Sequence, residues 1–327
     1  IVMKELPHVV VVGVTGTRGK TTTTELIAHI VRSSGKRVHL GGNIRGVANF
    51  PLLDEIEDGD VLVLELDSWQ LQGFRDVKIS PHISVFTSFM DDHMNYYKND
   101  KERYFDDKAA IYRYQKEGDI LIASTQASEE ITRREEVASM IIPEKRHFDI
   151  SLIGEHNQTS AALAYTVARK IGLNEDDIIS AMSTFKAVNG RLEDMGLYRN
   201  VRVFNDNNAT TPDATIKALE SIVDWSHKKP IVIVGGTDKL LPLSLLEKAL
   251  QEHTKATIYL SGTGTTRIAL PKEYEYEQLS ECVSKAFELA TEGDSILFSP
   301  AFASFSKYFN NEYERNDLFV KEVQKYR

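Results

Sequence analysis

The 327-residue chain contains one cysteine, Cys282, so no disulfide can form within it and a reducing compartment is expected. No apolar run comes near the ~20 residues that a membrane-spanning helix needs, which excludes insertion by that route. Positive charge is scarce: 39 Lys and Arg stand against 48 Asp and Glu, a net charge of −9. That balance argues against nonspecific nucleic-acid binding and against an anionic membrane surface. Internal repeats and low-complexity tracts are missing, as are any Ser/His/Asp nucleophile pattern and any Cys/His metal spacing. The start, Ile1-Val2-Met3-Lys4, lacks a signal-peptide layout, and Met3 is an odd initiator, so a preceding segment is expected. A monomeric, cytoplasmic protein is the expectation.

What is present is alternation. Apolar runs at Val9–Val14, Val38–Leu40, Val61–Leu66, Ile83–Thr87 and Asp119–Ala123 predict strands. Helical patterns at Thr21–Ser33, Lys101–Tyr114 and Ser160–Ile171 lie between or after them. A second series predicts strands at Val201–Asn205, Ile231–Gly235, Ala256–Leu260 and Ser295–Phe298, separated by helices near 212–225, 243–253, 279–291 and 313–326. Runs apolar on both faces, such as Val61-Leu62-Val63-Leu64, suit buried parallel strands. The fold class is α/β with two domains. A phosphate-loop, parallel-sheet domain spans 1–187, and a smaller Rossmann-like α/β domain spans 188–327, with the boundary in the polar turn near Ala187–Gly190.

The stretch Val9-Val10-Val11-Val12-Gly13-Val14-Thr15-Gly16-Thr17-Arg18-Gly19-Lys20-Thr21-Thr22 joins a β-branched strand to a helix through a glycine-rich turn. Such turns close backbone N–H groups around phosphate oxygens and aim a helix N-terminus at them. The lysine neutralises charge, and a threonine hydroxyl can ligand Mg²⁺. The strict Walker pattern asks for glycine where Val14 stands, so this is a variant loop, G-x-x-G-x-x-G-K-T. Its alternative is a tight turn with a solvated lysine.

In open α/β sheets ligands sit beyond the carboxyl ends of strands. Glu65 ends its strand one element away from the loop, a place where a carboxylate commonly holds Mg²⁺. His93, in Asp91-Asp92-His93, and Lys108, on a predicted helix, read unaided as a hydrogen-bonded structural residue and a solvated one. Asn157 and Ser160 look first like caps for a helix starting at Ser160. In the second series, polar turns follow the strands: Gly190-Arg191-Leu192-Glu193, Asn205-Asp206-Asn207-Asn208-Ala209-Thr210, Gly235-Gly236-Thr237-Asp238-Lys239 and Ser299-Pro300-Ala301-Phe302-Ala303-Ser304-Phe305. Each alone is ordinary turn chemistry. Four at one sheet edge suggest a binding edge, one that would face the phosphate loop on domain closure.

In this combination the chain resembles the Mur ligase family, along essentially its whole length, and within that family most resembles the members that add D-glutamate. The resemblance implies that Gly16, Thr17, Arg18, Gly19, Lys20, Thr21 and Thr22 bind the phosphates of ATP. Asn157 would contact adenine, Arg191 would reach the phosphates, and Asp206 would lie on the nucleotide side. It implies two Mg²⁺ sites, one through Thr21 and Glu65, the other near His93 and a carbamylated Lys108. Asn43, in Gly41-Gly42-Asn43-Ile44, and Gln70, in Glu65-Leu66-Asp67-Ser68-Trp69-Gln70, would face the muramoyl substrate; Thr210, Lys239 and Ser304 would hold D-glutamate. A lysine and two hydroxyls suit a small dicarboxylate on physical grounds as well.

The chain departs from the family pattern at Arg18 (usually Asn), Asp67 (usually Ser), Asn207-Asn208 (usually Ser-Lys) and Ser160 (usually Asn). The family's amino-terminal, UDP-gripping domain is expected to be absent. The activity implied is phosphorylation of the carboxylate of UDP-N-acetylmuramoyl-L-alanine by ATP, followed by attack of the D-glutamate amine. Lys20, His93, Lys108 and Arg191 would act in catalysis. The alternatives are a related ligase with another amino acid or acceptor, such as a folylpolyglutamate synthase-like enzyme, and a nonligating nucleotide-binding protein.

Overall fold

The structure, a computed structural model, describes residues 8–44, 49–305 and 309–327. The reading of Ile1-Val2-Met3-Lys4 falls outside them. The chain divides into two compact units, one of Ile1–Ser151 with His156–Phe185, the other of Leu152–Glu155 with Lys186–Arg327.

The first unit carries β1 (Val10–Thr15), β2 (Val38–Gly42), β3 (Val61–Glu65), β4 (Ile83–Phe86), β5 (Ile120–Ala123) and β6 (Met140–Ile141), all parallel, in the order β2-β3-β1-β4-β5-β6. Strand order reverses at β1, which puts the turn after it at the topological switch point. Val11, Val12 and Val14 are fully buried between the two helical layers. At ~1.5–3 kcal/mol for each large apolar side chain buried, such strands anchor the sheet. The helix Lys20–Ser33 buries Leu26, Ile27, Ile30 and Val31 on one face. His29 on that helix reaches the Ala181 carbonyl at 2.9 Å. Ala181 belongs to the helix Glu175–Thr184, which the sequence reading passed over although Asn174 caps it and Glu175, Asp176 and Asp177 fill its first turn.

Two helical boundaries differ from expectation. The helix expected over Lys101–Tyr114 ends at Ala109. The hydroxyls of Ser80 and Ser84 donate to the carbonyls of Ala110 (2.9 Å) and Ile111 (2.5 Å), and the Tyr114 N–H turns to Ser80 Oγ. Those groups are satisfied from β4 and its approach rather than by another helical turn. The helix expected to start at Ser160 starts at Glu155, so Asn157 and Ser160 are buried interior residues, not caps.

The second unit holds β7 (Glu193–Tyr198), β8 (Val201–Asn205), β9 (Ile231–Val234), β10 (Ala256–Leu260), β11 (Glu275–Tyr276) and β12 (Ser295–Phe298), in the order β11-β10-β9-β12-β8-β7. All pairs are parallel except β7 with β8. Strand β12 returns between β8 and β9, so the turns following these three strands emerge side by side. Two layers of apolar side chains cover the sheet, one around Leu219, Ile222 and Leu246, the other around Val283, Phe319 and Val323. Cys282 lies fully buried in the latter. Its Sγ donates to the Tyr259 carbonyl at 3.8 Å, and burial pushes the thiol well above its ordinary value.

Candidate active site

The phosphate loop begins where β1 ends. Gly16 adopts φ +148, and a Cβ there would stand 2.0 Å from Thr87 Oγ1 and 2.8 Å from Ser88 N, so only glycine lets the loop pass this close to the turn after β4. That turn pins the loop: the Arg18 N–H donates to Ser88 Oγ at 2.8 Å, Thr87 Oγ1 donates to the Arg18 carbonyl at 2.5 Å, and the Thr17 N–H donates to the Ser88 carbonyl at 2.7 Å. Thr17 Oγ1 is buried, donates to the Met90 carbonyl and accepts from its N–H. Its hydroxyl and its N–H are thus both engaged within the protein. Gly19, left-handed at φ +83, opens the helix Lys20–Ser33 with no side-chain cap, leaving the N-terminus to an anion.

Two amines converge on this loop. Lys20 Nζ donates to the carbonyls of Gly16 (3.0 Å) and Thr17 (3.3 Å). Lys108 Nζ donates to the same Gly16 carbonyl at 2.8 Å and lies 3.5 Å from Thr15 Oγ1. Lys108 is 2% exposed. Burial first, and then the charge of Lys20, hold its amine well below the usual lysine range, against the fields of Asp92, Asp67 and Glu65. A buried amine that stays neutral is nucleophilic, the property required to take up CO₂ as a carbamate. Lys108 is therefore far from the solvated lysine that its helix suggested.

Glu65 pairs in register with Val14 at the root of the loop and with Gly42 on β2. Its Oε2 is buried and makes no hydrogen bond. A buried carboxylate oxygen without a donor suits a hard cation that completes its shell with hydroxyl, water and phosphate oxygens. Among the described residues no cluster of three or more His, Cys, Asp or Glu could hold a metal unaided. Asn43 is tied to the same place, its N–H donating to the Glu65 carbonyl at 2.8 Å.

His93 is left-handed at φ +54 and caps a short helix. Its ring meets Trp69 edge-on at 4.6 Å and lies 6.3 Å from Tyr104. Asp92 accepts from the His93 N–H at 2.9 Å, and its carboxylate lies 3.7 Å from His93 Nε2 and 3.8 Å from Arg18 Nη1. The Arg18 departure thus has a partner in Asp92, a residue the sequence reading named without assigning a role. The Asp67 departure is equally local: Asp67 caps the helix Ser68–Val77, accepting from the Gln70 N–H, while Gln70 Oε1 accepts from the Asp67 N–H. Asp is as good an N-cap as Ser. Gln70, assigned to substrate by the resemblance, serves that capping box. Asn157 and Ser160 lie three residues apart on one helical face, and Ser160 Oγ would be 3.5 Å from a Cβ at Gly19, so this face looks onto the loop.

In the second unit the turns after β8, β9 and β12 are knitted together. The Asp206 N–H donates to the Phe298 carbonyl, the Gly235 N–H to that of Pro300, and the Ala301 N–H to that of Ala209. Thr237 and Ala303 form a two-bond antiparallel bridge. Ala301, at φ +64, is held left-handed by this pairing. Lys239 Nζ donates to Thr210 Oγ1 at 3.1 Å, so two of the three residues expected to hold an amino acid are in contact, and buried Ser304 follows the bridge directly. Asp206 is assigned to the nucleotide by the resemblance. Its buried carboxylate accepts from the Leu192 N–H (3.0 Å) and Ser299 Oγ (2.8 Å). Burial pushes it up to about 7 despite those bonds and the charge of Arg191. It therefore fastens the turn that carries Arg191 to the end of the sheet. Glu193 helps, its Oε2 accepting from the Gly190 N–H at 3.1 Å.

A pinned phosphate loop with two amines, an orphaned carboxylate on the neighbouring strand and a second Rossmann-like unit with a polar strand edge together define a nucleotide-dependent α/β ligase class. Comparison with known proteins narrows this. The Mur ligase middle domain matches residues 14–142. UDP-N-acetylmuramoylalanine--D-glutamate ligase of Borreliella afzelii is 32% identical over 342 residues, covering 96% of this chain and 74% of the relative. The protein of the same name from Thermoanaerobacter pseudethanolicus is 31% identical over 354 residues, covering 96% and 75%. The chain belongs to the Mur ligase family, among relatives that are D-glutamate ligases by name.

The fold is shared with MurF ligase from Thermotoga maritima in complex with ADP (TM-score 0.74, 18% identity, 99% of this chain, 82% of that one). It is also shared with E. coli FolC in complex with DHPP and ADP (TM-score 0.72, 16% identity, 96% and 89%).

Proposed function

We propose that this chain carries the ATP-dependent ligation of D-glutamate to UDP-N-acetylmuramoyl-L-alanine, through an acyl phosphate, with ADP and phosphate as products. The observation that carries the reading is the buried, neutral-leaning Lys108 amine on the Gly16 carbonyl of the phosphate loop, beside the orphaned Glu65 carboxylate. Phosphoryl transfer to a carboxylate asks a protein for positioning and charge neutralisation, and no covalent nucleophile is needed. The loop amides and the open N-terminus of the helix Lys20–Ser33 would bind the ATP phosphates, with Lys20 exchanging its loop carbonyls for phosphate oxygens. Arg191, on the turn fastened by Asp206, would add positive charge. Asn157 would face adenine.

Thr21 and Glu65 would hold one Mg²⁺, and His93 with Lys108 as a carbamate a second; bound there, the ions supply neutralisation of phosphate charge. The pinning by Thr87 and Ser88 would hold the loop in one shape for its ligand. Asn43 and Gln70 would contact the acceptor, while Thr210, Lys239 and Ser304 would hold D-glutamate with its amine free to attack the acyl carbon. The two compact units correspond in this reading to the nucleotide domain and the amino-acid domain. We place the protein in the cytoplasm as a monomer, where its nucleotide-linked substrates are made. Among the described residues no helix is long and apolar enough to cross a membrane.

The test is phosphate release from ATP and UDP-N-acetylmuramoyl-L-alanine by the full-length protein. It should require D-glutamate. Equal release with L-alanine, L-lysine or diaminopimelate overturns the assignment in favour of another ligase of this fold.

A further inference from the structure

The largest fully buried side chain among the described residues is a cation that no step above uses. Arg315 lies on the helix Glu312–Gln324 and is 0% exposed. Its Nε donates to Asn207 Oδ1 at 2.8 Å, its Nη2 to the Asn207 carbonyl at 2.8 Å, and its Nη1 to the Phe302 carbonyl at 3.2 Å. One guanidinium thus spans the turn after β8 and the turn after β12. The turn after β9 leans on it as well: a Cβ at Gly236 (φ +147) would stand 2.6 Å from the Ala303 carbonyl and 3.4 Å from Arg315 Nη1. Asn207 closes the arrangement by donating to the Glu312 carbonyl at 2.9 Å, in the first turn of the helix that bears Arg315.

None of these partners is charged. Among the described residues no carboxylate pairs with the guanidinium, and the opposing field comes from Glu312 alone. A buried cation without a counter-ion is costly, and an apolar side chain of similar shape generally stabilises a core better. Packing therefore does not account for an arginine here. Its surroundings do, since all three turns it touches carry the residues expected to hold a dicarboxylate, and Asn208 leaves the exposed edge without the cation that the family pattern places there.

We propose that Arg315 is a positioning residue for the amino-acid substrate: it locks the turns of Thr210, Lys239 and Ser304 to one another and leaves behind them an uncompensated positive charge that draws a carboxylate of the incoming amino acid. This rests on the reading of those turns as the amino-acid site.

The test is steady-state kinetics of the full-length protein with each substrate varied in turn. Arg315→Met should raise the KM for D-glutamate about tenfold or more while the KM for ATP stays within about twofold. Arg315→Lys, which returns the charge and part of the fork, should recover most of the D-glutamate KM. An unchanged D-glutamate KM in the Met variant, or a rise shared equally by ATP, overturns the proposal. Should the Met variant not fold, the Arg315 Nε–H resonance of the wild-type protein is read instead. It should shift on adding D-glutamate and shift less on adding D-glutamine, which keeps only one of the two carboxylates, and a resonance that ignores D-glutamate overturns the proposal. Wild-type turnover that proceeds equally with L-alanine fails the reading of the site itself, a result seen before any variant is made and so distinct from failure at Arg315.

Discussion

The two sheet edges solve opposite electrostatic problems. At the phosphate loop the cation is the partly exposed Lys20, whose amine can leave the loop carbonyls for a ligand, while the Lys108 amine on the same Gly16 carbonyl is buried and held toward neutrality, and the loop is pinned by neutral hydroxyls and amides from the turn after β4. At the second edge the fixed cation, Arg315, is buried behind the turns, and the groups facing outward are a lysine held by a threonine and two loops bridged to each other. A highly charged ligand such as a polyphosphate needs mobile charge that can follow it. A small amino acid needs a rigid frame with a field behind it.

The largest expected effects test the two amines at the phosphate loop. Lys108→Ala should lower turnover by about a thousandfold, and short carboxylates in the assay should restore part of it. No loss would mean that the buried amine plays no part as a carbamate. Lys20→Ala should weaken ATP binding, measured by calorimetry, by about a hundredfold, the range of two charge-assisted hydrogen bonds; unchanged affinity would contradict the loop assignment. A smaller effect tests the rigid frame. Gly236→Ala places a methyl 2.6 Å from the Ala303 carbonyl in a left-handed turn, so the D-glutamate KM should rise about tenfold and the thermal midpoint should fall, with ATP affinity unchanged. If ATP affinity fell too, the two edges would not be independent.

The smallest is a pH effect. Asp206 is raised from 3.8 to about 7 in the folded chain. The stability it contributes is therefore present below its ordinary value and lost as pH rises through about 7. Asp206→Asn should leave stability unchanged below about pH 4 and flatten its decline between about pH 4 and pH 7, read by urea unfolding. An unaltered slope would assign the titration to another group.

Much of this architecture is legible in the sequence because it is written in runs. The β-branched stretch before Gly13, the strands apolar on both faces and the polar turns after β8, β9 and β12 all announce parallel strands and their functional ends. What escapes is written one residue at a time. Strand β7 reads Glu193-Asp194-Met195-Gly196-Leu197-Tyr198, with a register shift between Asp194 and Gly196 that breaks any alternation. Asn157 and Ser160 look like the approach to a helix because polar residues rarely fill a buried helical face. Lys108 and Arg315 sit on amphipathic helices where a cation is normally solvated; only the burial of their neighbours reveals them. Arg18 and Asp92 are far apart in sequence, so nothing short of the fold could pair them.

The buried thiol has a practical sequel. With its sulfur shut between the helix Leu279–Leu289 and the sheet of the second unit and its proton held by burial, Cys282 will ignore alkylating reagents in the native protein. A cysteine introduced at the exposed Phe305, with a second at Met90, would then be the pair that takes up dyes, without first removing the native thiol. A dye on each would report on its own unit in an otherwise wild-type chain.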